Sequence, residues 1–345
     1  MGNTQAIRIP ELTGWRGIFI LMIFFHHVDL FPAGGTTGVA FFFLLGGFAM
    51  ALGYSEKVLS PDFKYGGYFW KRATKFYPIH WLLLFMFLIL NILCSVPVGL
   101  KTFVPNFLLI QSFIPDRDFF YAYNSPSWYL CDTLFFAAIF PFIIRGINKL
   151  KNSLWFRLLA ILLFVTYVVV EVSVPEEQKL AIIYINPLLR AFDYLVGIAA
   201  GLWLLHYLKK GRTYIKKSMI IIGLVLSALL LTGVIALPAE ARLYSSVYWI
   251  PIVGLLIFTA LLSTVGGGSR FLKSKLLVSF GEVSFAFYMI HSFCIDIVRV
   301  AFSKLGFDNL TLSVCCALLL TVVGSYIATY FFINPIGNWL IKTNK

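Results

Sequence analysis

Residues 13–31 read TGWRGIFILMIFFHHVDLF, an apolar run of membrane-spanning length with one cation near its start and two histidines near its end. Ionisable side chains within a lipid-spanning helix are costly, so each marks a functional position unless a structural partner explains it. At 100° and 1.5 Å per residue, the eleven-residue step from Arg16 to His27 turns about 1100°, roughly 20° past three full turns. The guanidinium and the His27 imidazole therefore share one helix face, about 16 Å apart along the axis, while His26 falls about 80° away. The spacing predicts that His27, rather than His26, lines an interior cavity above Arg16.

Outward from this run the chain repeats the apolar theme. Hydrophobic residues make up 60% of the 345 and charged ones 12%, which places the sequence among all-α, polytopic integral membrane proteins. Ten spans in one bundle are expected, at about 13–31, 37–54, 77–96, 127–146, 154–174, 187–207, 217–237, 246–264, 282–303 and 311–333. No polar stretch is long enough to fold alone, so residues 1–345 read as one transmembrane domain with no soluble domain appended. The apolar stretch from Phe103 to Phe113 is too short to span and is expected to be interfacial or re-entrant. The first span lacks a basic start and a small-residue cleavage site, so it reads as a retained signal anchor.

The net charge of +13 is an orientation signal rather than a nucleic-acid footprint. With the N-terminus inside, 21 of the 28 Lys and Arg fall on inner segments and five on outer loops, leaving Arg190 and Arg299 at helix margins. That asymmetry predicts a multi-pass protein of the plasma (inner) membrane with both termini cytoplasmic, its basic rim facing anionic lipid. Four of the five cysteines (Cys131, Cys294, Cys315 and Cys316) lie in expected spans and Cys94 near a span's end. No spacing suggests a zinc or redox site, so they read as packing residues and no metal is expected.

Several further constellations bear on chemistry. In GGTTGVAFFFLLGGFAM (34–50), Gly34 and Gly35 suit a tight outer turn, and Gly46 and Gly47 suit close helix packing. In YGGYFWKRATKFYPIHW (65–81), Arg72 and Lys75 share a helix face with Lys71 and Trp70 alongside, and Pro78 is expected to end this segment or kink it. Two cations on one turn flanked by aromatics suit a phosphate-bearing ligand, although an interfacial helix gripping lipid headgroups is the commoner cause of such a charge pattern. Trp128 opens the fourth span, where belt residues are common, and Asp132 lies one turn deeper. Arg190 and Asp193 stand three apart and suit a structural ion pair. In GEVSFAFYMIHSF (281–293), Ser284, Tyr288 and His291 fall on one face of the ninth span.

In order and spacing, WRGIFILMIFFHH, GVAFFFLLGGF, KRATKFYP, WYL…FP, R…F…G and GEVSFAFYMIH resemble the acyltransferase 3 family over nearly the whole chain. The family consists of integral-membrane acyltransferases, typically O-acetyltransferases of extracytoplasmic glycans. The resemblance implies no permanently bound cofactor, acyl-CoA (acetyl-CoA) as co-substrate taken from the cytoplasmic side, and transfer to an outward-facing carbohydrate hydroxyl. The family's essential histidine maps onto His27, its first-helix arginine onto Arg16 and its RxxR pair onto Arg72 and Lys75. Trp128, Arg190, Tyr288 and His291 fall on matching positions. Departures lie at Lys75 in place of Arg, at Ala40 and Gly46 in place of Asp and Ser, at Thr133 in place of Glu with Asp132 beside it, and at Asn334 before Pro335. They put in question which acid partners the histidine.

On this reading Arg72, Lys75 and Lys71 hold the phosphates of CoA, and Arg16 guides the thioester inward. His27 then acts as general base or as an acyl carrier, with His291 and Tyr288 stabilising the oxyanion. A transporter or flippase for a glycan or glycolipid, in which the same polar groups line a path and no bond is made, is the alternative. Nothing in the sequence sets an oligomeric state.

Overall fold

A computed structural model describes residues 9–151, 153–211, 215–306 and 308–343. Arg8, Arg212 and Lys345, counted above among the inner cations, lie outside the described residues. The protein is all-α and polytopic. Its long helices are α1 (Pro10–His27), α2 (Gly34–Leu59), α3 (Tyr65–Leu93), α6 (Ser127–Leu150), α7 (Leu154–Ser173), α9 (Pro187–Lys209), α10 (Lys217–Ile235), α11 (Trp249–Val265), α12 (Lys275–Leu305) and α13 (Leu310–Ile327). Short helices α4 (Leu100–Leu108), α5 (Arg117–Phe120), α8 (Glu176–Lys179) and α14 (Asn334–Thr343) join or follow them.

Each of the ten expected spans coincides with one long helix. Among the described residues eight helical segments are long and apolar enough to cross a membrane, α13 being counted together with its continuation to Thr343. The two helices outside that count are α1, whose 18 residues hold Glu11, Arg16, His26 and His27, and α7, whose 20 residues hold Arg157 and Glu171. Helices α7 and α10 turn most of their Leu, Ile and Val outward, as lipid-facing helices do, while Tyr167 and Glu171 of α7 are buried.

Two helix pairs position the centre of the molecule, and glycine makes both possible. A Cβ on Gly47 of α2 would overlap the carbonyl oxygen of Tyr194, and one on Gly197 of α9 would overlap that of Leu44. Between α1 and α12, a Cβ on Gly281 would overlap the Thr13 carbonyl. Backbones approach this closely only where no side chain intervenes.

The fold sharpens three local expectations. Gly34 and Gly35 do not form a turn; they are the first residues of α2, where a Cβ would strike the Met22 carbonyl and the His26 ring respectively. Pro78 does not end its segment, because α3 runs through it from Tyr65 to Leu93 and so carries the basic residues on the same rod as the span. The stretch from Phe103 to Phe113, too short to span as expected, is a helical insertion packed on one side against the bundle. Asn106 donates to the Phe119 carbonyl at 3.0 Å, and Ser112 to that of Trp128 at 2.9 Å.

Candidate active site

The glycine-mediated contact of α1 with α12 sets two polar groups of one helix against two of the other. Arg16 Nη2 donates to Ser284 Oγ at 2.8 Å. Further along the same seam, the rings of His27 and His291 meet edge to face, with centroids 4.6 Å apart. Residues 16 and 27 share a face of α1, and 284 and 291 share a face of α12, so close packing of the two faces makes both pairs.

Hydrogen bonds assign the imidazole protons. His27 Nδ1 lies 2.9 Å from the Ile23 carbonyl, which can only accept, so Nδ1 carries a hydrogen. His291 Nδ1 lies 2.6 Å from the Tyr288 carbonyl and is protonated for the same reason. The remaining His291 nitrogen, Nε2, sits 3.3 Å from His27 Nδ1 and accepts a share of its hydrogen. In the neutral rings, His27 Nε2 is then left with the lone pair and His291 orients the imidazole. A base held by a third group is the arrangement that activates hydroxyl nucleophiles. The side chain at Nδ1 is thus a second histidine, where the sequence comparison looked for an acid. Arg299 Nη2 also donates to the His27 carbonyl at 3.2 Å, capping the end of α1.

Two cavities flank this seam. One, of about 380 Å³, is lined by Arg16, Lys75, Tyr129, Thr133 and Ser284 together with apolar residues of α1, α2 and α3. The other, of about 160 Å³, is lined by His26, His27, Tyr121, Trp128 and Tyr184. Tyr288 lines both. His27 is exposed and His291 fully buried, so the first histidine meets the ligand space and the second stands behind it.

Most sequence-picked residues converge here, with regroupings. His26 is not turned away from the site: its Nδ1 donates to the Pro32 carbonyl at 2.8 Å and its ring joins His27 on the smaller cavity. The basic trio divides. Lys75 faces the larger cavity with Arg16, whereas the Arg72 guanidinium stacks over Tyr54 at 4.4 Å. Lys71 lines a separate surface hollow with Lys57 and Lys64. Asp132 is fully buried, lines neither cavity, and has neither carboxylate oxygen hydrogen-bonded.

Arg190 and Asp193 form a buried ion pair at 2.9 Å, and Trp249 Nε1 donates to Asp193 at 2.6 Å. The Arg190 guanidinium also lies 5.2 Å from the Tyr184 ring and 4.8 Å from that of Phe43. Because Tyr184 lines the histidine cavity and Phe43 stacks on Tyr129 of the larger one, Arg190 braces a wall of each. Tyr121, Tyr184, Tyr129 and Arg299 escaped the sequence reading. Each is one aromatic or cation among many, with no periodic signal.

Comparison with known proteins decides what such a site serves. A family model described as "Acyltransferase domain" (Acyl_transf_3) matches residues 9–330. This chain belongs to the acyltransferase 3 family. "Acyltransferase MdmB" of Streptomyces mycarofaciens is 28% identical over 324 residues, covering 83% of this chain and 79% of that protein. No solved structure matches the chain significantly. This member of the family is a membrane-bound acyltransferase.

Proposed function

We propose that this acyltransferase moves a short acyl group, acetyl first among them, from cytoplasmic acyl-CoA to a hydroxyl of a carbohydrate on the opposite side of the plasma membrane. The observation that carries the reading is the pair of unlike cavities that share Tyr288 in their linings. The larger, with Arg16 and Lys75, suits an anionic donor with an apolar arm. The smaller suits an acceptor ring, because Tyr121, Trp128 and Tyr184 offer flat faces and the two histidines offer polar edges. The positive-inside charge asymmetry supports placing both termini and the Lys75 side in the cytoplasm.

His27 Nε2 takes the proton of the acceptor hydroxyl as its oxygen attacks the thioester carbonyl carbon. The tetrahedral intermediate carries a negative oxygen, to which Tyr288 donates its hydroxyl. Collapse breaks the C–S bond, and the CoA sulfur leaves with the proton that His27 had taken. One O–H and one C–S bond are exchanged for one C–O and one S–H. His291 orients the base through Nδ1 and does not itself exchange a proton with substrate.

The test uses the purified full chain, acetyl-CoA and a panel of sugar acceptors. Wild-type protein should bind acetyl-CoA and release free CoA thiol when an acceptor is present. His27→Ala should bind acetyl-CoA as before, with kcat reduced by about 10²–10⁴-fold. Transfer at the wild-type rate by His27→Ala would defeat the assignment.

A further inference from the structure

Two neighbouring glycines of α2 answer differently to one question, namely what a side chain would meet. At Gly47 a Cβ would overlap the Tyr194 backbone, so the approach of α9 requires glycine. At Gly46 the nearest atoms are carbons of the Tyr194 ring at 3.7 and 3.8 Å, ordinary van der Waals distances. Glycine weakens a helix interior, so a position where packing does not demand it calls for another reason. Gly46 lines the Arg16 cavity, as do Phe42, Leu45, Ala49 and Leu52 of the same helix. Steps of three and four put these on one face of α2. That face is bulky at both ends and small in the middle, at Gly46 and Ala49, and Ala49 is exposed in the hollow.

An acyl thioester has two arms at its carbonyl carbon, and both need room. For the carbonyl to reach His27 it must pass Tyr288, the residue that lines both cavities. One arm, pantetheine with its phosphates, runs back past Arg16 and Lys75. The 160 Å³ histidine cavity is taken by the acceptor, so the acyl arm has to turn back into the larger space. The dent at Gly46 and Ala49 is the apolar surface open to it.

We propose that Gly46, with Ala49 beside it, opens an acyl-chain recess in the donor cavity and sets the longest acyl group this enzyme accepts, extending its donors beyond acetyl-CoA to longer short-chain acyl-CoAs. The inference rests on the acyl-CoA reading above. Gly46 is then a specificity-determining position rather than a packing one.

Binding of acetyl-CoA and butyryl-CoA to the purified full chain, without acceptor, tests it. In wild type the two extra methylenes should tighten binding by about tenfold, the gain expected for burying them in an apolar recess. Gly46→Val should abolish that preference or invert it, and Gly46→Ala should reduce it. Gly53→Val, on the same helix where a Cβ meets nothing within 4 Å, should keep the wild-type ratio. The ratio of two dissociation constants is insensitive to how much protein folds, and Gly46→Ala carries the comparison if the valine variant does not accumulate. A wild-type chain that binds acetyl-CoA but gains nothing from butyryl-CoA overturns the recess and leaves the donor reading standing. The same holds if the ratio is unchanged in both Gly46 variants. Failure of wild type to bind any acyl-CoA overturns the donor reading and the recess with it.

Discussion

The Arg16 cavity and the His27 cavity lie along one seam between α1 and α12, yet they are built from opposite materials. Around the first, two cations and several hydroxyls line a mostly apolar hollow of about 380 Å³. Around the second, two imidazoles and four aromatic rings enclose about 160 Å³. The Arg16 guanidinium can hold a charged group without changing protonation state, whereas a neutral imidazole can take a proton and return it. In the proposed reaction this separation lets one seam bind donor on one side and react on the other, with Tyr288 common to both linings.

Removing the brace shared by both cavities tests that division most severely. Arg190→Ala leaves Asp193 buried without its cation, a change expected to cost about 3–5 kcal/mol of stability. Because Arg190 contacts the rings of both Tyr184 and Phe43, the surviving protein should bind donor and acceptor more weakly. Thermal unfolding in detergent and two separate titrations measure this; a defect in only one ligand would show that Arg190 serves one cavity.

A milder change should touch the donor side alone. Arg16→Gln removes a charge-assisted contact and is expected to raise the KM for acyl-CoA by about 10–100-fold, with kcat for bound donor less affected. Lys75→Ala should act in the same direction. A fall in acceptor affinity without a donor effect would reverse the roles given to the two spaces.

The smallest effect should fall on the acceptor side. Tyr121→Ala takes one ring from the histidine cavity and is expected to raise acceptor KM by about 2–10-fold, as befits one aromatic contact. Donor binding should not change. A comparable loss of acyl-CoA affinity would mean that the partition at Tyr288 does not separate the ligands.

Local properties of the chain were legible before the structure. All ten long helices lie where the apolar runs put them, because burial in lipid is decided residue by residue over some twenty positions. The shared face of Arg16 and His27 followed from the helical repeat alone, as did that of Ser284, Tyr288 and His291. Of the two outcomes expected at Pro78, an end or a kink, the structure excludes the end, because α3 is continuous from Tyr65 to Leu93. The basic trio misled the reading: spacing places Lys71, Arg72 and Lys75 on neighbouring angles of α3, but the rotation of that helix against α1 and α2 chooses which one meets the cavity.

The sequence by itself determined the class, the spans and the angular position of each polar group on its own helix, since all three follow from hydrophobicity and a 3.6-residue turn. Tertiary structure alone decided that His27 is paired with His291, 264 positions away, and that Tyr121 and Tyr184 line the same cavity from separate connecting segments. It alone decided, too, that of two adjacent glycines one faces a neighbouring backbone and the other lines a cavity. The reason is physical: periodicity fixes where a side chain points from its own axis, while what it meets depends on how separate helices pack.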